Sequence, residues 1–251
     1  NFVLGNFRFS LSQTVLDTWV IMLIIIFLVR KGTKDISVEN PSKMQIVMEE
    51  YYHFIENTFL TTFGKHKKNY IPFFSALFIF IMFSNLSTFL FPYIMMVVSE
   101  DGVKMVKPFF RTPTADPNTT IGLSLVVIVL FLAVSIKQKG LRGYIKSLFE
   151  PMWFMFPLNI VDIFSKVLNT SMRLFGNMLA GLVIVGLLYS LVGRGLLQSL
   201  THDMLKGSFS FSVGWPMIIQ LYLDLFIGIV QAFVFTILSS VYISEALGEE
   251  E

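Results

Sequence analysis

Six polar residues, Asn159, Asp162, Lys166, Asn169, Arg173 and Asn177, interrupt an apolar stretch at spacings of 3, 4, 3, 4 and 4. At about 100° per residue they share roughly 80° of arc on one helix face. The opposite face is chiefly Phe, Leu, Val, Ile and Met. Guanidinium stays protonated in proteins, and a charge at mid-bilayer costs at least ~2.5 kcal/mol, so it must face water or a partner. A second stripe, Gln220, Asp224, Gln231, Tyr242 and Glu245, falls within about 60° on another helix. Carboxylates, amides and hydroxyls offer the oxygen ligands that hard cations take. Two long helices, each with one polar face, suggest that those faces line ion paths or look at a common partner.

A plainer reading stands beside this one. Polar stripes also join helices, and Asp162 with Lys166, at i and i+4, suits a structural pair. Arg173 fits that reading badly, because its nearest carboxylate on the same helix, Asp162, is three turns away. Gly176, Ala180 and Gly181 surround it, with Gly186 further on. Small residues at such spacing mean close helix packing, which is also what an arginine approaching a neighbouring helix requires.

The elements that position these stripes are membrane helices. Hydrophobic residues make up 54% of the 251, charged residues only 14%. Soluble domains carry about a quarter charged, so the class expected is an all-α polytopic membrane protein. Spans are expected at about 14–29, 72–98, 119–136, 157–192 and 214–247. Residues 42–63 read as an amphipathic interfacial helix, with Val47, Tyr51, Phe54 and Ile55 set against Glu49, Glu50, His53 and Glu56. The stretch 99–118, with Gly102, Pro108, Pro113 and Pro117, reads as an irregular external loop, and the Phe-rich run from Phe73 to Phe91 as lipid-facing or packing surface. At about 1.5 Å per residue the last two spans exceed 50 Å, against a hydrocarbon core of about 30 Å. Either they lie strongly tilted or they break, and a pair of very oblique helices is the more specific expectation.

Lys and Arg counts orient the chain. The segments 30–69 and 137–146 hold eleven, and the loops on the other side hold five. The amino terminus is therefore expected outside and the carboxyl terminus inside. The start at Asn1, without Met or a basic-then-apolar leader, gives no expectation of a signal peptide. There is no cysteine and there are three histidines, all outside the strongest apolar runs, so no metal site and no cofactor are expected. No phosphate-binding Gly-rich loop is present, which disfavours an enzyme acting alone, and nothing calls for nucleic acid.

Three motifs then resemble a family. Ser171-Met172-Arg173-Leu174-Phe175-Gly176-Asn177-Met178-Leu179-Ala180-Gly181 is similar to the arginine signature of F-type ATP synthase subunit a. Gln231-Ala232-Phe233-Val234-Phe235, with Leu238 and Tyr242, resembles the companion motif on the family's last helix. The segment from Pro113 to Thr120 resembles the opening of the preceding span in bacterial members. The resemblance implies a stator that embraces a c-ring, with its last two helices lying near the membrane plane and two half-channels ending beside Arg173. It implies Asn177, Asp224 and Gln231 in the external half-channel, Asp116 near its mouth, and Glu245 in the internal one. Implied partners are the c-ring, the peripheral stalk b subunits and the rest of the complex in a bacterial inner membrane, with nucleotide chemistry in partner subunits. The translocated ion is H+ or Na+. Many bacterial members carry a glutamate directly after the Ala-Gly of the arginine motif; here that position is Leu182, and Asp224 stands roughly at its partner's position.

Two other readings make different demands. An independent secondary transporter or channel predicts internal repeats and discontinuous helices, and no repeat is visible. A membrane scaffold predicts that Arg173→Ala leaves coupled ion transport unchanged.

Overall fold

A computed structural model describes residues 2–4, 7–9, 13–34, 36–90, 95–100, 103–108, 113–150, 152–193 and 211–248. A short antiparallel hairpin of β1 (Phe2–Leu4) and β2 (Phe7–Phe9) comes first. Helices α1 (Gln13–Gly32) and α2 (Lys43–Phe59) follow. A 3-10 segment, Thr61–His66, leads directly into α3 (Lys67–Leu90). Helices α4 (Pro117–Ser147), α5 (Phe156–Gly193) and α6 (Phe211–Leu247) are the remaining α-helices among the described residues. It is an all-α multi-pass membrane protein, its helices accompanied among the described residues by two short hairpins. Among the described residues Thr61–Ser87, Pro117–Ser147 and Leu225–Leu247 are long and apolar enough to cross a membrane.

The region expected as an irregular loop contains a hairpin instead. Strands β3 (Met95–Glu100) and β4 (Val103–Pro108) pair antiparallel, with Val97 opposite Val106 and Glu100 opposite Val103. The sequence carries the reason: valine-rich runs flank Asp101-Gly102, a dipeptide favoured in hairpin turns. Helix α3 accordingly stops short of residue 98, since Pro92 disfavours helix in the residue before it. The 3-10 turn Pro113–Ala115 then leads to Asp116, which caps α4.

Helix α4 bends where the sequence turns basic. Gly140 adopts φ 70° and ψ 160°, a conformation open to glycine and strained for other residues. Lys137 and Lys139 thus close the apolar part, and residues 141–147 form a separate turn of helix beyond the break.

The core lies where α2, α3, α4 and α6 meet. Ile55, Phe59, Leu60, Phe63, Phe74, Ile81, Phe235 and Ile243 are all buried. Phe59 touches Phe78 and Phe233 at ring separations of 5.5 and 5.3 Å. Part of the Phe-rich run therefore packs within the protein. Helix α2 buries one edge of its apolar face, at Ile55 and Phe59, and leaves Val47 and Phe54 exposed, as a helix at an interface would. Ser42 caps it by accepting from Gln45 N. The Tyr51 hydroxyl donates to Ser75 O at 2.6 Å, tying α2 to α3, and burial pushes the phenol's pKa upward. At the other end of α2 the Phe59 carbonyl, an orphan of the last turn, accepts from the Ser240 hydroxyl of α6.

Candidate functional site

Parts of the two stripes meet along a seam between α5 and α6. Two side-chain ties join the helices. Asn177 Nδ2 donates to Gln231 Oε1 at 2.6 Å. Lys166 Nζ lies 3.0 Å from Glu245 Oε2 and 3.2 Å from Asp162 Oδ2. The order of contacts is reversed between the helices, so they run antiparallel. From residue 166 to 177 the rise is about 16 Å, and Arg173 falls between, on the same face.

Arg173 is partly exposed and, among the described residues, has neither a hydrogen bond nor an ion pair. Its neighbour Leu174 is fully buried, which anchors the backbone while the guanidinium stays at the surface. A charge that cannot be neutralised by deprotonation is thus presented outward. Among the described residues, the small residues beside it have no packing partner. A Cβ built on Gly176 or Gly181 would meet nothing within 4 Å, and Ala180 is exposed. The surface next to the guanidinium is open, flanked by exposed Met172, Leu179 and Val183.

Gln231 is 3% exposed, and its Nε2 is buried without a partner among the described residues. Its placement depends on a knot one turn earlier. Asn85 of α3 donates through Nδ2 to Gly228 O at 2.8 Å and accepts through Oδ1 from the Thr114 hydroxyl. Asn85 is 2% exposed and Thr114 fully buried. A Cβ on Gly228 would lie 3.0 Å from Asn85 Cβ, so glycine permits α6 to approach α3. Sequence reading missed Asn85 and Gly228. A single amide in a run of Phe, Leu and Ile was the available signal, because a buried amide requires partners.

At the other end Lys166 is enclosed. Its side chain is 13% exposed, while the carboxylates it joins are 60% exposed. Its ammonium sits 5.0 Å from the Phe131 ring centroid and 5.3 Å from that of Tyr242, within cation–π range. The expected pair of Asp162 and Lys166 is a triad that includes Glu245. Asn159 serves packing: its Nδ2 donates to Leu148 O at 2.7 Å, closing the end of α4.

Asp116 is the N-cap of α4, accepting from Asn118 N at 2.9 Å. Asn169 is exposed on α5. Asp224 and Gln220 lie on α6, and Leu182 on α5, but their side chains are outside the described residues. Among the described residues no group of three His, Cys, Asp or Glu could hold a metal ion.

Charged and amide groups along a seam within membrane helices, beside a guanidinium without a partner among the described residues, are in keeping with an ion-handling membrane subunit. Sequence comparison then gives the family. The profile of the ATP synthase A chain matches residues 15–244. The sodium ion specific ATP synthase subunit a of Propionigenium modestum is 40% identical over 98% of this chain and 78% of its own length. The ATP synthase subunit a proteins of Moorella thermoacetica and Bacillus subtilis are each 30% identical, over 92% and 96% of this chain and 89% and 94% of theirs. The chain belongs to the ATP synthase A chain family, and its role is that of the ion-coupling stator in the membrane sector.

Proposed function

We propose that the α5–α6 seam carries Na+ to and from a rotating c-ring by way of two half-channels that meet at Arg173. The observation that bears most weight is the position of the guanidinium, held between two cross-helix ties and presented to an open surface of small residues. A ring carboxylate brought beside that charge is favoured in its ionised form, so it releases its cation there. The same charge opposes leakage of cations between the half-channels. Lysine would keep the sign but lose the rigid fork of donors.

Asn177, Gln231 and Asp224 belong to the external half-channel in this reading, with Asp116 near its mouth as a capped carboxylate, and Glu245 to the internal one. The c-ring packs against Gly176, Ala180 and Gly181. Peripheral stalk b subunits and the nucleotide-handling subunits complete the assembly. The amino terminus faces outward and the carboxyl terminus the cytoplasm of a bacterial inner membrane. Sodium is favoured by similarity to a sodium-specific relative and by the amide and hydroxyl oxygens along the seam, which suit a hard cation better than a proton relay.

The test is ATP-driven Na+ uptake by the whole complex in proteoliposomes with a protonophore present. Uptake that survives or rises supports a sodium motor. Loss of uptake, with sodium-independent acidification once the protonophore is omitted, replaces sodium by H+.

A further inference from the structure

We propose that the Lys166 ammonium is a tethered resident cation. It occupies the place between Asp162 and Glu245 where a transported cation would otherwise be trapped. Each carboxylate oxygen lies close to Nζ, at 3.2 and 3.0 Å. The two oxygens are therefore within about 6 Å of each other, a range in which like charges act strongly on one another. Two carboxylates at that spacing, from two helices and open to solvent, make an oxygen-rich seat for a hard cation. Lysine fills the seat from inside the protein. Its side chain is nearly covered, and the rings of Phe131 and Tyr242 flank its charge. The Asp162–Lys166–Glu245 cluster keeps one net negative charge, directed outward through the exposed carboxylates. It can gather cations at the mouth without binding one tightly. Lys166 is thus a positioning residue acting through Asp162 and Glu245, two turns of helix before Arg173.

The inference rests on the seam being the ion path, and it makes a one-sided demand. In Lys166→Met the cluster carries two negative charges and an empty seat. The half-saturating cation concentration, varied on the side that Glu245 faces, should fall at least threefold. Maximal transport should fall with it, because release becomes slow. The dependence on the cation at the opposite side should be unchanged. Lys166→Met with Asp162→Asn removes one wall of the seat and should restore both the half-saturating concentration and most of the turnover.

The measurement is ATP-driven 22Na+ uptake and ATP synthesis by the assembled complex in proteoliposomes, with Na+ set separately inside and outside. If the wild-type complex moves only H+, the sodium reading fails, and the same one-sided shift is read by varying pH on each side. Equal changes on both sides in Lys166→Met, or a double variant no better than the single one, would overturn the proposal. Either result would show that Lys166 merely braces α5 against α6.

Discussion

At one end of the α5–α6 seam the joining groups are neutral, with Gln231 resting on a buried knot of Asn85 and Thr114; at the other they are charged, with the two carboxylates open to water. Asn85, Thr114 and Gln231 are each 3% exposed or less. Asp162 and Glu245 are 60% exposed. Leaving a buried polar group unsatisfied costs about 1–3 kcal/mol, whereas an exposed ion pair is worth about 0.2–1 kcal/mol. The two ends therefore divide the work. The amide end fixes where α6 lies against α3 and α5, and the charged end, in the proposed reading, manages cations with little effect on stability. Arg173 hangs between them and belongs to neither.

The largest effect should come from that middle position. Arg173→Ala is expected to bring ATP-driven ion transport in proteoliposomes to background while the complex remains assembled and hydrolyses ATP. Coupled transport at the wild-type rate would return the seam to the status of a scaffold.

Breaking the amide end should cost both stability and transport. Asn85→Ala strips the Thr114 hydroxyl of its acceptor and frees the Gly228 turn that carries Gln231. Interhelical hydrogen bonds in membranes average about 0.6 kcal/mol. Here one side chain serves two buried partners, so a loss of about 1–3 kcal/mol is expected, read as thermal unfolding of the solubilised complex. Transport should fall with it, since Gln231 loses its register with Asn177. Gly228→Ala applies a milder push to the same place. Its new Cβ meets Asn85 Cβ at 3.0 Å, and overpacking at the low end of about 1–3 kcal/mol is expected. A neutral outcome for both variants would show that the knot does not set the position of α6.

The charged end and the amide end were unequally visible in the sequence. Helical periodicity revealed Lys166, Arg173, Asn177, Gln231 and Glu245, because charges and amides in an apolar helix are costly and hence conspicuous. Periodicity places residues on faces but says nothing of how two helices are matched in height, so the tie between Lys166 and Glu245 emerged only in three dimensions. Asn85 was hidden for the same reason, being a lone amide with partners 29 and 143 residues away. The hairpin of β3 and β4 was legible in Asp101-Gly102 and its flanking valines, but the prolines nearby read more loudly as loop. Asp116 shows the reverse case. Its motif suggested a channel mouth, and its carboxylate also serves as a helix cap, a role that Asp immediately before a Pro-initiated helix announces.

Glu245→Gln should have the smallest effect on stability, and it sharpens the contrast most. Asp162 still pairs with Lys166 after the change, so no ammonium is stranded, and the exposed carboxylate gives up only a screened interaction. A shift of less than about 1 kcal/mol is expected at low salt. It should shrink further towards 1 M salt, where the screening length falls to about 3 Å. The deficit of Asn85→Ala should stay constant across the same series, because its partners are out of reach of dissolved ions. Thermal unfolding of both variants in a salt titration separates the two ends directly. If Glu245→Gln destabilised as much as Asn85→Ala and did so at every salt concentration, the charged end would be a structural knot as well. The division of labour along the seam would then be wrong, and Arg173 would sit between two braces rather than between a brace and a gate.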